Sequence, residues 1–226
     1  MTTPSHLALF DEARLLWHPG SAATVSGEAR AAVDLPGPEA AAARLRGGNG
    51  QAAEVCDGYL TVAEGLQLAG TRMTLCLRLR AAAGGCDGPI LAGADPDDRH
   101  GVILAATPEA IEYRWHTTPL QQRVTPEWWA EASRHALEPD FVNGVLRLSV
   151  PLADIGPSDW HDIFVRFDHA RIELLVDGVL VDEEWPHGAL NGFRGPLLLG
   201  AGYEDGRLQS GFRGMIGHLA IWDRAL

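Results

Sequence analysis

The chain predicts an all-β fold, an antiparallel β-sandwich carrying one short inserted helix, and three observations predict it. From Trp160 to Leu226 the sequence alternates at period two: Ile163, Val165 and Phe167 interleave with Phe164, Arg166 and Asp168. Asp177-Gly178 joins two such runs, and this dipeptide suits a tight hairpin turn in which both positions need a positive φ. The 26 glycines and 14 prolines are dispersed along the 226 residues, as a many-turned β protein requires.

The elements follow in order. Leu7 to Phe10 and Leu15-Leu16-Trp17 are short apolar strand candidates before the break at Pro19-Gly20. Ala31 to Leu35 is strand-like. The segment PGPEAAAARLRGGNG fits a short helix, with Pro38 in its first turn and Gly47 past its end, and fits a strand over Ala43 to Leu45 equally. Thr71 to Arg80 alternates with Met73, Leu75, Leu77 and Leu79 on one face and Thr74, Cys76, Arg78 and Arg80 on the other. Pro89–Ala92, Val102–Ala106, Ile111–His116 and Ser149–Leu152 continue the meander. Between Thr117 and Asn143 the β rhythm lapses. Thr125-Pro126 caps a helix of about three turns that Pro139 ends. Ile172–Val176 and Val179–Trp185 form the hairpin around Asp177-Gly178.

Residues in the C-terminal two thirds resemble a known family. A Trp-His pair opens a strand at Trp160-His161, a strand ends in Val-Asp-Gly at Val176 to Gly178, and LLLGAG precedes GFRGMIGHLAIWDRAL. These resemble the laminin G-like branch of the concanavalin A-like lectin and glucanase jelly rolls, whose last strand reads G-x-I-D-x-V-x-I-Y-x-R-A-L. The resemblance spans Met73 to Leu226, and Phe10 to Glu12 resembles the family's short opening strand. His218 stands where the pattern has Asp, and Trp222 where it has Tyr. The resemblance implies a single jelly-roll domain over residues 1–226, two sheets of roughly six or seven strands each, with the helical insertion at about 117–143. It also favours the strand reading of Ala43 to Leu45, gives His161 a scaffold role, and implies a structural Ca²⁺ where the first and last strands meet. Asp11 and Asp223 are the residues of this chain that would bind that ion.

Composition narrows the partners. A net charge of −12 argues against nucleic acid or an anionic membrane, and no apolar stretch reaches the ~20 residues of a spanning helix. An oligo- or polysaccharide is compatible with that charge. The opening MTTPSHLALFDEARLLW lacks a basic start, and Asp11 and Glu12 interrupt its apolar run. The chain is therefore expected in the cytoplasm, unless it is a module cut from a longer secreted protein. Of the three cysteines, Cys76 is expected to be a buried apolar residue, and a Cys56–Cys86 bridge remains open.

The candidate sugar surface combines Arg99, His100, Tyr113, Trp115, His116, Trp128 and Trp129. Sugars offer C–H patches to aromatic rings and hydroxyls to polar groups, so a glycan site needs both side by side. In IEYRWH, Tyr113 and Trp115 share one face while Arg114 and His116 share the other. The turn ADPDDRHG clusters Asp95, Asp97 and Asp98 but lacks the downstream Glu of a calcium loop. The glucanase motif E-x-D-x-x-E is absent, and so are HExxH and G-x-S-x-G. The leading expectation is a carbohydrate-binding module that accompanies a glycoside hydrolase. The alternatives are a protein-interaction or self-association domain and a glycoside hydrolase or polysaccharide lyase with a dispersed site.

Overall fold

A computed structural model describes residues 13–45, 49–68, 72–82, 87–94, 101–117, 122, 124–135, 137, 143–156, 159–186, 192–204 and 206–226. The first strands are β1 (Leu15–Trp17), β2 (Thr24–Asp34) and, after helix α1 (Gly37–Leu45), β3 (Gln51–Leu68). Next come β4 (Met73–Ala81), β5 (Gly88–Ala94), β6 (Gly101–Ala106) and β7 (Ala110–His116). Helix α2 (Pro126–Ala132) precedes β8 (Val145–Pro151), β9 (His161–Phe167), β10 (Ile172–Val176) and β11 (Val179–Glu184). The chain closes with β12 (Phe193–Leu199), β13 (Ala201–Glu204), β14 (Arg207–Ser210) and β15 (Gly214–Trp222). Antiparallel pairing runs β11-β10-β9-β4-β15-β3-β12-β5-β6-β7-β8, with β1 beside β15, β2 beside β3, and β13-β14 as a separate ribbon.

The two ends of that path come together. The Ser149 amide of β8 donates to Asp182 Oδ2 of β11 at 2.8 Å, so the sheet wraps into two layers around one core. Alternation decides what fills it. Leu75, Leu77 and Leu79 of β4, Ile163, Val165 and Phe167 of β9, Tyr113 and Trp115 of β7, and Leu146, Leu148 and Val150 of β8 all point inward. Trp115 reaches across the layers to Phe167, with ring centroids 6.3 Å apart, and meets Tyr113 edge-on at 6.4 Å. The Tyr113 hydroxyl is buried with no hydrogen-bond partner.

The outer face of β4 is covered as well, which is why Met73 to Leu79 are buried without alternation. Leu35, Ala40 and Ala52 form a small cluster with Trp160 and Met215. Glu39 accepts hydrogen bonds from Arg80 Nη1 at 3.1 and 3.2 Å and from Trp160 Nε1 at 3.4 Å. The guanidinium groups of Arg78 and Arg80 lie 5.2 and 5.0 Å from the Trp160 ring. The strand reading of Ala43 to Leu45 is therefore corrected: α1 runs through Leu45. Alanine has the best helix propensity, and Glu39 in the first turn favours the helix dipole.

Beside Arg78 lies a buried pair, Cys76 Sγ and His218 Nε2, 3.7 Å apart. Burial pushes the Cys76 thiol well above its ordinary pKa and lowers His218 to about 4. A neutral imidazole thus occupies the position where the family pattern has a carboxylate. Arg78 is held by Asp162 at 2.9 Å. Cys56 and Cys76 are free, while Cys86 lies outside the described residues. At the hairpin, Asp177 and Gly178 adopt φ of 52° and 82°. His161 Nδ1 lies 2.8 Å from Asp177 Oδ2, and the Asp162 amide donates to Asp177 Oδ1 at 2.9 Å. His161 is scaffold.

Two stability predictions follow from this core. Because the folded pKa of His218 lies below the unfolded value, the unfolded chain takes up the proton first as pH falls. The stabilisation is complete above about pH 6.5 and is lost toward pH 4, at up to about 1.4 kcal/mol per pH unit. Urea midpoints measured across that range should fall less steeply for His218→Gln than for the wild type. Tyr113→Phe removes a desolvated hydroxyl and should leave stability unchanged or raise it by about 1 kcal/mol, whereas Trp115→Ala should cost about 3–5 kcal/mol. Denaturant unfolding measures both.

Candidate functional site

Strands β5 to β8 have a second face, and register assigns its residues. Across the sheet, Leu91, Leu104, Tyr113 and Leu148 form an inward row. The neighbouring row, Ala92, Ile103, Arg114 and Arg147, therefore points outward. Glu112, His116 and Val145 share this outer face. Ala92 and Ala105 keep its floor low, and the β13-β14 ribbon stands on one side with Tyr203 packed on Ala92, Ile103 and Ala105. Gly202 permits that approach, because a Cβ there would lie 2.8 Å from Ala92 Cβ and 3.1 Å from Pro89 Cβ.

The result is a groove of about 290 Å³ whose polar lining comes from Asp87, Thr107, Arg114, His116 and Arg147, with Tyr203 as its aromatic wall. That volume sits at the lower end of small-ligand sites, which span ~300–1,000 Å³. Arg114 and Arg147 are directly opposed across β7 and β8, an arrangement of like charges that disfavours pairing. Glu112 offsets it: its Oε2 is 2.6 Å from Arg147 Nη1 and 3.9 Å from Arg114 Nε.

The expected sugar-binding residues divide three ways. His116 lines the groove. Tyr113 and Trp115 are corrected to core residues, each 0% exposed. They lie on the opposite face of β7 from His116, and burying two large rings contributes more to the sandwich than leaving them in water. Arg99 and His100, with Asp95, Asp97 and Asp98, lie outside the described residues. Trp128 is 47% exposed and Trp129 half-buried on α2, and neither lines the groove. Thr125 caps α2 by accepting from the Trp128 amide at 3.3 Å. The helix has seven residues, none of them buried, in place of the expected three turns. Arg147 and Tyr203 were not anticipated. The alternation in VLRLSV carried a signal for Arg147, but nothing local announces Tyr203, which reaches the groove from a hairpin distant in sequence.

Several of the described carboxylates are engaged by arginines. Glu173 and Glu183 face each other across β10 and β11, but Arg171 bridges them at 2.6 and 3.0 Å, and Arg166 also holds Glu173 at 2.5 Å. At the chain's end, Asp223 pairs with Arg14 at 2.5 Å, and Asp11 lies outside the described residues. Among the described residues no three His, Cys, Asp or Glu side chains gather as a metal site. A calcium ion at the position that the resemblance implies would have to displace Arg14 from Asp223.

A sequence profile described as the concanavalin A-like lectin/glucanases superfamily, laminin G type, matches residues 53–226. The chain belongs to this superfamily. No curated protein matches it. Among solved structures, this superfamily member is similar to domain 4 of AbnA, a GH43 extracellular arabinanase from Geobacillus stearothermophilus, in complex with arabinotriose. The two share 14% identity over 90% of this chain and 83% of that one, with a TM-score of 0.58. It is also similar to the CBM40 of the Ruminococcus gnavus IT-sialidase bound to alpha2,3 sialyllactose, at 12% identity over 74% of this chain and 90% of that one, with a TM-score of 0.50. At such identities the likeness is one of fold.

The opposed arginines make the superfamily member's groove sensitive to its own charge balance. Glu112→Gln should destabilise the protein by about 0.5–1 kcal/mol at low ionic strength, and high salt should recover most of that loss. Thermal unfolding at the two salt concentrations measures it.

Proposed function

We propose that this chain is a carbohydrate-binding domain and that the outer-face groove of β5–β8 is its sugar site. The observation that carries this reading is the position of Tyr203 as an aromatic wall beside Arg114, His116 and Arg147. A pyranose or furanose ring presents C–H groups to an aromatic face and hydroxyls to charged and imidazole donors, so it uses both kinds of group in one groove. The arabinanase domain solved with arabinotriose and the sialidase CBM40 solved with sialyllactose lend support. Both come from glycoside hydrolases, and by that analogy this domain accompanies such an enzyme and contributes binding rather than cleavage. Glycoside cleavage needs two carboxylates ~5–10 Å apart and available to the substrate, whereas Glu173, Glu183 and Glu112 are held by arginines.

A second reading, self-association, has its own observation. Val179, Leu180, Val181 and Trp185 leave an exposed apolar strip on and just after β11. Light scattering across a concentration series distinguishes it, because a dimer that Leu180→Asp dissolves would establish that surface.

The glycan reading is tested on an oligosaccharide array followed by calorimetry with the best ligand. Tyr203→Ala should weaken binding about tenfold, near 1.4 kcal/mol, and Trp128→Ala should leave it unchanged. An array on which the wild-type protein binds nothing overturns the reading.

A further inference from the structure

We propose that the groove selects sugars carrying a methyl-terminated substituent, an acetamido group or the methyl of a 6-deoxy ring, and that the recess over Ile103 and Ala105 receives that methyl. The inference rests on the reading of the groove as a sugar site and names the chemistry of its ligand. Register divides the outer face at the boundary between β6 and β7. On one side, Ile103 and Ala105 of β6 stand opposite Arg114 and Glu112 of β7. On the other, they stand opposite Ala92 and Pro89 of β5. One half of the floor is therefore built of hydrocarbon and the other of charged side chains.

Backbone groups leave the apolar half apolar. β5 is paired with β12 and β6, and β6 with β5 and β7, so their N–H and C=O groups are committed to the sheet. Tyr203 stands over this half, packed on Ala92, Ile103 and Ala105. The ligand thus meets two apolar surfaces, an aromatic wall and an aliphatic floor. A pyranose ring offers a C–H patch on its face and carries hydroxyls around its edge. With that patch against Tyr203, an edge hydroxyl turned to the floor exchanges water for aliphatic side chains, which is costly. A methyl in the same place is stabilised by leaving water. The wall is also held close to the floor. A Cβ at Gly202 would lie 2.8 Å from Ala92 Cβ, and one at Gly211 would overlap the Asp87 carbonyl oxygen. A closely packed apolar recess discriminates between ligands that differ by one methyl.

The test compares neutral oligosaccharides in matched pairs that differ at one substituent, N-acetylhexosamine against the parent hexose and 6-deoxyhexose against hexose. In calorimetry, wild-type protein should bind the methyl-bearing member of at least one pair about tenfold more tightly. The pair that shows this ratio identifies the methyl as acetamido or deoxy. High salt should leave the ratio unchanged, because neither partner in the contact is charged. Ala105→Val fills the recess and should remove the ratio while retaining binding of the parent hexose. Ile103→Thr keeps the branched shape but replaces an apolar branch by a hydroxyl, and it provides a second variant with the same expected loss if Ala105→Val unfolds. Equal binding within both pairs, a preference for the hydroxylated members, a ratio that salt abolishes, or one that survives in the folded variant overturns this inference and leaves the glycan-binding reading standing. Binding to no sugar in the series or on the array overturns both.

Discussion

The contact between Trp115 and Phe167 joins the two layers of the sandwich, and much of the rest of the structure depends on it. A β-strand offers two faces, and the core between the layers takes only one of them. With Trp115 and Tyr113 committed inward on β7, Glu112, Arg114 and His116 must point outward. The same constraint passes through register to β6 and β8 and sends Ile103 and Arg147 to the same side. The groove is thus the reverse side of the core. Its polar character follows from the apolar character of the residues between.

The two outer faces of the sandwich are finished differently. Over β4 and β15, Trp160 lies on Arg78 and Arg80, and Glu39 of α1 binds Arg80. Cys76 packs with Phe164 and Trp222, and His218 lies beside His18, in a buried layer that includes the Arg78–Asp162 pair. Over β5–β8, the small β13-β14 ribbon covers only part of the sheet and leaves the arginines accessible beside Tyr203. Charge in the first layer is internally compensated. In the second, Glu112 lies between two arginines that face each other across the strands.

Much of the fold was legible because its signals are local. Alternation around Leu75–Leu79 and Ile163–Phe167, the Asp177-Gly178 turn and the Thr125-Pro126 cap each depend on a few adjacent residues, and the structure has an element at each. The alanine run at Ala40–Leu45 was not resolved, since a short apolar segment satisfies helix and strand patterns alike. Tertiary packing over Ala52 and Met215 accompanies the helical outcome. The site was legible only in part. IEYRWH does separate Tyr113 and Trp115 from Arg114 and His116, but alternation gives two faces without saying which is inside. Tyr113 and Trp115 were assigned to the ligand and belong to the core.

By itself the sequence determined an antiparallel sandwich of the concanavalin A-like type, its turns, and the pairing of residues that share a strand face. These are properties of neighbours along the chain, set by backbone sterics and period-two geometry. The tertiary structure alone decided which face of β7 met the second layer, that Arg147 would stand opposite Arg114, and that Tyr203 would wall the groove. Each of those depends on residues distant in sequence becoming adjacent, and strand register, rather than any local preference, brings them together.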